Sequence, residues 1–154
     1  MLDQLAAEVD EDPLRRKLVE HCRVVDLPRR AQQCNSVFVE VGNGDSFVFD
    51  CGSGIKGLSD QVMTSKVQRF SARIFISHPH WDHINTIPFF APLYMRGNQI
   101  EIFGPYQGNL TIERAISAQM ESVYFPVTVR EFGARLVFRD LREETLQFTV
   151  GASS

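Results

Sequence analysis

The chain has 154 residues, a length that fits one domain and suffices to bury a core. Its composition, 44% hydrophobic and 23% charged, is that of a soluble globular protein and excludes a collagen-like or low-complexity chain. A net charge of −3 argues against nucleic-acid binding through overall charge, leaving only a local patch for such a role.

No apolar run approaches the ~20 residues that cross a bilayer, so no membrane association is expected. The acidic stretch 1–12 lacks the apolar centre of a secretory signal. Cys22, Cys34 and Cys51 are odd in number and widely spaced, which gives neither a disulfide framework nor a CxxC pair. A cytoplasmic location is the expectation.

Leu2, Leu5, Ala6 and Val9 follow helical spacing, and Asp12-Pro13 reads as an N-cap followed by Pro at the first helical position. Leu14, Leu18 and Cys22 would line that second helix, and residues 1–34 read as a helical extension. Arg15, Arg16, Lys17, Arg23, Arg29 and Arg30 form a basic cluster, read as a solvated face, with a phosphate- or partner-docking patch as the alternative.

From Asn35 the pattern becomes β-rich, and residues 35–154 are expected to form the main domain. Val37 to Val41 and Ser46 to Asp50 flank Gly42-Asn43-Gly44-Asp45, which predicts a hairpin. Asp50-Cys51-Gly52-Ser53-Gly54 follows, with glycines that permit tight backbone, and a helix is expected from Ile55 to about Ser65. Ala72 to Ser77 reads as a buried strand. Ile84 to Tyr94 is interrupted by Pro88 and Pro92, which predicts a short helix and loop. Gln99 to Phe103 is expected as a strand closed by Gly104-Pro105. Ile112, Ala115, Ile116 and Met120 mark a helix, with Asn109 as candidate cap. Arg135 to Arg139 and Leu146 to Val150 read as late strands. The alternation points to α/β layers, a mixed sheet with flanking helices, and most of the twelve Phe should be core.

The strand at 72–77 delivers His78-Pro79-His80-Trp81-Asp82-His83, which holds three of the four histidines in the chain. Alternate residues of an extended segment point the same way, so His78 and His80 can converge on one ion, while Asp82 and His83 reach a neighbouring position. Imidazole and carboxylate are ligands for Zn²⁺, Mn²⁺ or Fe. Two such ions ~3.5–4 Å apart share a water and clamp both oxygens of a displacement, so the chemistry indicated is hydrolysis by metal-bound hydroxide. Trp81 reads first as a packing anchor under this loop and second as a substrate platform. The stripe Phe89-Phe90, Leu93-Tyr94 reads as core, with a substrate-facing wall or an association surface as the alternative. Cys51 reads as a small buried residue, and Asp50 as a turn residue accepting backbone N–H groups.

The HxHxDH pattern at a strand end resembles the signature of the metallo-β-lactamase superfamily. Asn35-Ser36-Val37, Phe49-Asp50-Cys51-Gly52-Ser53-Gly54, Ile87-Pro88-Phe89-Phe90 and Ile102-Phe103-Gly104-Pro105 extend the likeness, towards the branch of ribonuclease Z and cyclic-nucleotide phosphodiesterases. The resemblance covers roughly Asn35 to Leu141. It implies an αββα sandwich of which this chain holds the N-terminal half, and a divalent-metal cofactor, most simply two Zn. It implies that His78 and His80 are first-site ligands and Asp82 and His83 second-site ligands. Asp82 would also orient the attacking water or take its proton, and Asp50 would steady the ligands by hydrogen bonding. The implied substrate is a small-molecule or nucleotide phosphodiester.

Two departures bear on activity. Asn85 and Thr86 stand where the superfamily carries a glycine after the motif, and their side chains can narrow the pocket. No histidine follows His83, whereas the superfamily draws further ligands from its C-terminal half. The site is therefore incomplete within these residues, and the missing ligands must come from elsewhere. The alternative is a truncated or degenerate, non-catalytic half-domain that binds metal or a partner. Losing the partner sheet would also bare an apolar face, which a homo-oligomer could cover.

Overall fold

The computed structural model describes residues 22–25, 36–41, 46–65 and 67–142. They form one six-stranded sheet, with strands β1 (Cys22–Val25), β2 (Val37–Val41), β3 (Ser46–Phe49), β4 (Ser71–Phe75), β5 (Gln99–Pro105) and β6 (Arg135–Leu141) in simple sequential order. β1, β2 and β3 pair antiparallel, and β3 to β6 pair parallel. The fold is thus a mixed sheet with helices, as expected from the alternating pattern.

Helix α1 (Ile55–Thr64) links β3 to β4, a short helix α2 (Trp81–Ile84) and two 3₁₀ turns (Ile87–Phe89, Ala91–Tyr94) link β4 to β5, and α3 (Ile112–Gln119) lies between β5 and β6. Parallel crossovers are right-handed almost without exception. When each also steps to the next strand in the same direction, every crossover lands on the same face. Ile55, Leu58 and Val62 of α1 and Ile112 and Ile116 of α3 accordingly share one core with Phe38, Val48, Ala72, Ile74, Ile100 and Ile102 of the sheet. α1 buries Ile55, Leu58, Ser59 and Val62, the i, i+3, i+4, i+7 stripe of an amphipathic helix.

The opposite face carries the alternate residues. Phe75 lies between Phe49 and Phe103, with ring centroids 5.4 and 4.8 Å away, and Phe47 stacks at 6.3 Å. Arg73 lies over Phe47 and Arg139 over Phe103. Glu101 bridges the two guanidiniums, at 3.4 Å from Arg73 and 3.0 Å from Arg139. Among the described residues, Phe38, Phe70, Phe90 and Phe103 are the buried phenylalanines, so fewer are core than the composition suggested.

Several expectations change. Cys22–Val25 form strand β1, paired with β2, and not helix; the helical reading of residues 1–21 and 26–34, the 42–45 turn and the 146–150 strand lie outside the described residues. α3 is capped by Thr111, whose hydroxyl accepts the Arg114 N–H at 3.1 Å, and not by Asn109. Asp140 accepts the Ile112 N–H at 2.8 Å, which gives that carboxylate a role in seating the helix. Among the described residues no helix is long and apolar enough to cross a membrane.

Candidate functional site

β3 and β4 run parallel, so their C-terminal ends emerge side by side, the place where open α/β sheets present ligand-binding groups. β3 delivers Asp50 and Cys51; β4 delivers Ser77 and the histidine loop. Asp50 holds φ at +59°, a left-handed conformation uncommon outside glycine but tolerated best by Asp and Asn. Its N–H donates to the Phe75 carbonyl at 2.8 Å, stitching the two strand ends together. That backbone aims the carboxylate at the loop. Oδ1 accepts the Ser77 N–H at 2.8 Å, and Oδ2 lies 3.0 Å from His83 Nδ1.

Cys51 secures the same loop from the other side. Its N–H donates to the His83 carbonyl at 2.7 Å, and its carbonyl accepts the Thr86 N–H at 3.2 Å. The thiol is fully buried, as the sequence indicated, and burial, with the Asp50 charge second, pushes its ionisation far up. It is a packed neutral group. Within the loop, the His83 N–H donates to the His80 carbonyl at 3.0 Å and the Asn85 N–H to the Trp81 carbonyl at 2.7 Å, closing the turn that brings the imidazoles together. The ring of His78 lies 4.5 Å from that of His80 and 4.0 Å from that of His83. Asp82 is mostly exposed, its Oδ2 3.5 Å from His83 Nε2.

Ser77 is a hub that sequence reasoning missed. Its hydroxyl lies 2.9 and 3.0 Å from the Asp50 oxygens, 2.9 Å from His78 Nδ1 and 3.4 Å from His83 Nδ1. One hydroxyl has one proton, and the carboxylate, an acceptor only, takes it. His78 Nδ1 must then carry a proton and donate it to Ser77 Oγ. His83 Nδ1 likewise donates to Asp50. For His78 this leaves Nε2 with the lone pair, the arrangement in which an oriented imidazole serves as a metal ligand, whereas His83 Nε2 faces Asp82.

The fit to a divalent cation is therefore good in donor chemistry and partial in arrangement. Asp50 and Ser77 fix two imidazoles by their Nδ1 atoms, and a third ring lies beside them. Yet among the described residues no group of three or more His, Cys, Asp or Glu is gathered tightly enough to hold an ion. A zinc site that does chemistry holds three protein ligands. These residues supply part of such a set.

The departures after the motif have a structural answer. Asn85 and Thr86 are half-buried, and the Thr86 hydroxyl donates to Asn85 Oδ1 at 2.9 Å, which ties the two side chains together. Trp81 overturns its packing reading: it is 70% exposed. The stripe after the loop divides, with Phe90 and Leu93 buried and Phe89 66% exposed. Beside Asp50 and Ser77, on the open face of the sheet, lies a depression of about 490 Å³ reaching Phe49, Phe75, Tyr106 and Arg142.

No protein-family model matches the chain. Similarity to curated proteins is consistent in kind. The chain is 35% identical over 106 residues to ribonuclease Z of Prochlorococcus marinus (strain MIT 9312), covering 66% of this chain and 33% of that protein. It is 30% identical over 109 residues to ribonuclease Z of Methanocaldococcus jannaschii, covering 68% and 33% respectively. With ribonuclease Z of Nostoc punctiforme the identity is 30% over 120 residues, 74% of this chain and 36% of the relative. The chain spans about a third of the length of the relatives it matches. Over about two-thirds or more of its own length, the chain is thus a homologue of ribonuclease Z, an enzyme of the metallo-β-lactamase superfamily.

Proposed function

We propose that this chain carries the ligand-loop half of a metal-dependent hydrolase of metallo-β-lactamase type, acting on a phosphodiester. The observation that carries the reading is the bonding around Ser77 and Asp50. It holds the His78 and His83 rings by their Nδ1 atoms, at the end of a parallel strand, in a chain homologous to ribonuclease Z. His78 and His80 would hold one divalent ion, and Asp82 and His83 a second, Zn²⁺ being the simplest choice and Mn²⁺ or Fe the alternatives. Such ions, when bound, supply an activated water and neutralise charge on phosphorus. The remaining ligands come from outside the described residues.

This chain's own contribution is positional. Asp50 and Ser77 set the two imidazole planes, Cys51 ties the loop backbone to β3, and Asp82, an exposed carboxylate beside His83, would accept the proton of the attacking water. The open sheet face, with its four stacked phenylalanines, is where the second sheet of an αββα sandwich would pack, ~10 Å away. Hydrolysis of bis-p-nitrophenyl phosphate in the presence of Zn²⁺ or Mn²⁺ tests the activity. Turnover above a His80→Ala control is expected, and its absence would sink the reading for this chain.

A second reading follows from the lack of any three-donor group among the described residues. In it, the chain is a non-catalytic half-domain that binds one metal ion or a partner. Zn²⁺ titration by calorimetry separates the two: metal affinity lost in His80→Ala but without turnover favours the second.

A further inference from the structure

We infer that Gln119 is a positioning residue for the histidine loop, tying the loop's C-terminal end to α3 and, through α3, to β6. That the loop so placed carries metal ligands rests on the reading above; the tie itself rests on hydrogen bonds alone. α2, Trp81–Ile84, is a single turn, so most of its carbonyls have no partner in a helical ladder. The Trp81 carbonyl takes the Asn85 N–H at 2.7 Å, and the His83 carbonyl takes the Cys51 N–H at 2.7 Å. The Ile84 carbonyl accepts from the Gln119 side chain at 3.0 Å. A carbonyl only accepts, so the atom that faces it is the amide nitrogen. Ile84 is buried, which leaves water badly placed to replace that donor.

The two outside ties act on successive peptide units. Cys51 holds the one that follows His83, and Gln119 holds the next, whose N–H belongs to Asn85. A turn held at one point can pivot; held at two, it cannot. His83 stands immediately before both. Its ring lies 4.0 Å from that of His78, and its Nδ1 lies 3.0 Å from Asp50, so a small rotation of α2 would alter both relations. α3 is a firm anchor for the second tie. Ile112, Ile116 and Met120, spaced i, i+4, i+8, are buried along one stripe. At its start the Ile112 N–H donates to Asp140 of β6 at 2.8 Å. Gln119, half-buried, is its last residue. A glutamine 35 residues beyond Ile84 thus carries the register of β6 to the end of the histidine loop.

The test uses the metal-free protein. Gln119→Met keeps the length and helix propensity and removes the donor. Gln119→Lys restores a donor, on a cation that the C-terminal end of a helix favours. Amide exchange at Cys51 and Asn85, read by nuclear magnetic resonance, is expected to be about tenfold faster in Gln119→Met, the effect of one hydrogen bond lost at a buried acceptor. Exchange at Ile74 and Ile102 should not change. The rings of His78, His80 and His83 lie 4.0 to 4.5 Å apart, so their ring-proton resonances report their mutual orientation. These resonances should move in Gln119→Met and return towards their original positions in Gln119→Lys. Unchanged loop exchange, unmoved ring resonances or no recovery in Gln119→Lys overturns the proposal. So does an equal rise at Ile74 and Ile102, which would mean that Gln119 supports the whole fold and not the loop. Neither readout involves metal or turnover. A loop that Gln119 holds but that takes up no Zn²⁺ in calorimetry would leave the tie standing and the metal reading fallen.

Discussion

The two faces of this sheet are built from the same strands and behave as different materials. On the helix side, Val48, Ile74, Ile100 and Ile102 are sealed under α1 and α3. On the other side, Phe47, Phe49 and Phe75 stack across β3 and β4 with Arg73, Glu101 and Arg139 among them, and Phe49 remains 44% exposed. Strand alternation alone makes both faces apolar in part; topology decides which is covered. Sequential parallel strands with crossovers of one hand send every helix to one side. The histidine loop lies at the seam. Cys51 belongs to the sealed core and Asp50, its neighbour, to the open face, and between them they hold the loop.

The largest expected effect comes from breaking the sealed face. Ile102→Ala removes three carbons from a fully buried position and should cost about 3–4 kcal/mol in urea denaturation. Phe49→Ala, on the open face and larger by atom count, should cost about 1 kcal/mol or less, chiefly its stacking on Phe75. The same substitution should reduce binding of anilinonaphthalene sulfonate, a probe of exposed apolar surface. Equal losses at the two positions would mean that the open face is covered in solution.

Gly104→Ala probes how closely α3 approaches the sheet. A Cβ at position 104 would lie 2.5 Å from Ile112 Cδ1 and 2.6 Å from Cγ1. Ile112 is itself buried and its N–H is fixed on Asp140, so it cannot swing aside. The expected cost is about 2 kcal/mol, from overpacking. A companion Ile112→Val exchange should recover part of it.

How much of this was legible in the sequence depends on the range of the interaction that decides each feature. β2, β3, β5 and α1 follow from local periodicity and appear within a few residues of their expected bounds. The histidine cluster was legible because a run of six residues is local. Ser77 was not, since a serine at a strand end is unremarkable until Asp50, 27 residues away, accepts its hydrogen bond. Cys22 went wrong for a related reason: a helical signal read locally was overridden by pairing with Val41. Trp81 and the phenylalanines went wrong together, because hydrophobicity predicts burial only when something lies opposite. The sequence pattern does not say which face the crossovers leave bare; the strand order does.

Asp50 and Cys51 offer a sharper test of the seam. Burial first, and the Asp50 charge second, hold the Cys51 thiol protonated far above the usual thiol range. Site-resolved mass spectrometry after iodoacetamide at pH 8 should find Cys51 unmodified in the native protein and modified in urea. Linkage gives the sign for stability. Above pH ~8.5 the unfolded thiol ionises while the folded one does not, so the folded state binds more protons and stability falls as pH rises, by up to ~1.4 kcal/mol per unit. Cys51→Ala should remove that slope. Rapid native alkylation would show instead that the loop opens readily and that the seam is weak.

The smallest effect is expected from the charges on the open face. Glu101 pairs with Arg73 and Arg139, but its side chain is 30% exposed and that of Arg139 is 56% exposed, so water and salt screen much of the attraction. Glu101→Gln keeps the shape and a hydrogen-bond acceptor while removing the charge, and should cost about 0.5 kcal/mol or less at physiological salt. The electrostatic part of that difference should shrink further in 1 M NaCl, where the screening length falls to about 3 Å. A loss of several kcal/mol that salt does not reduce would place the Arg73–Glu101–Arg139 row in a dry environment. That outcome would mean a second layer covers the phenylalanine face, and the two faces of the sheet would then be sealed alike.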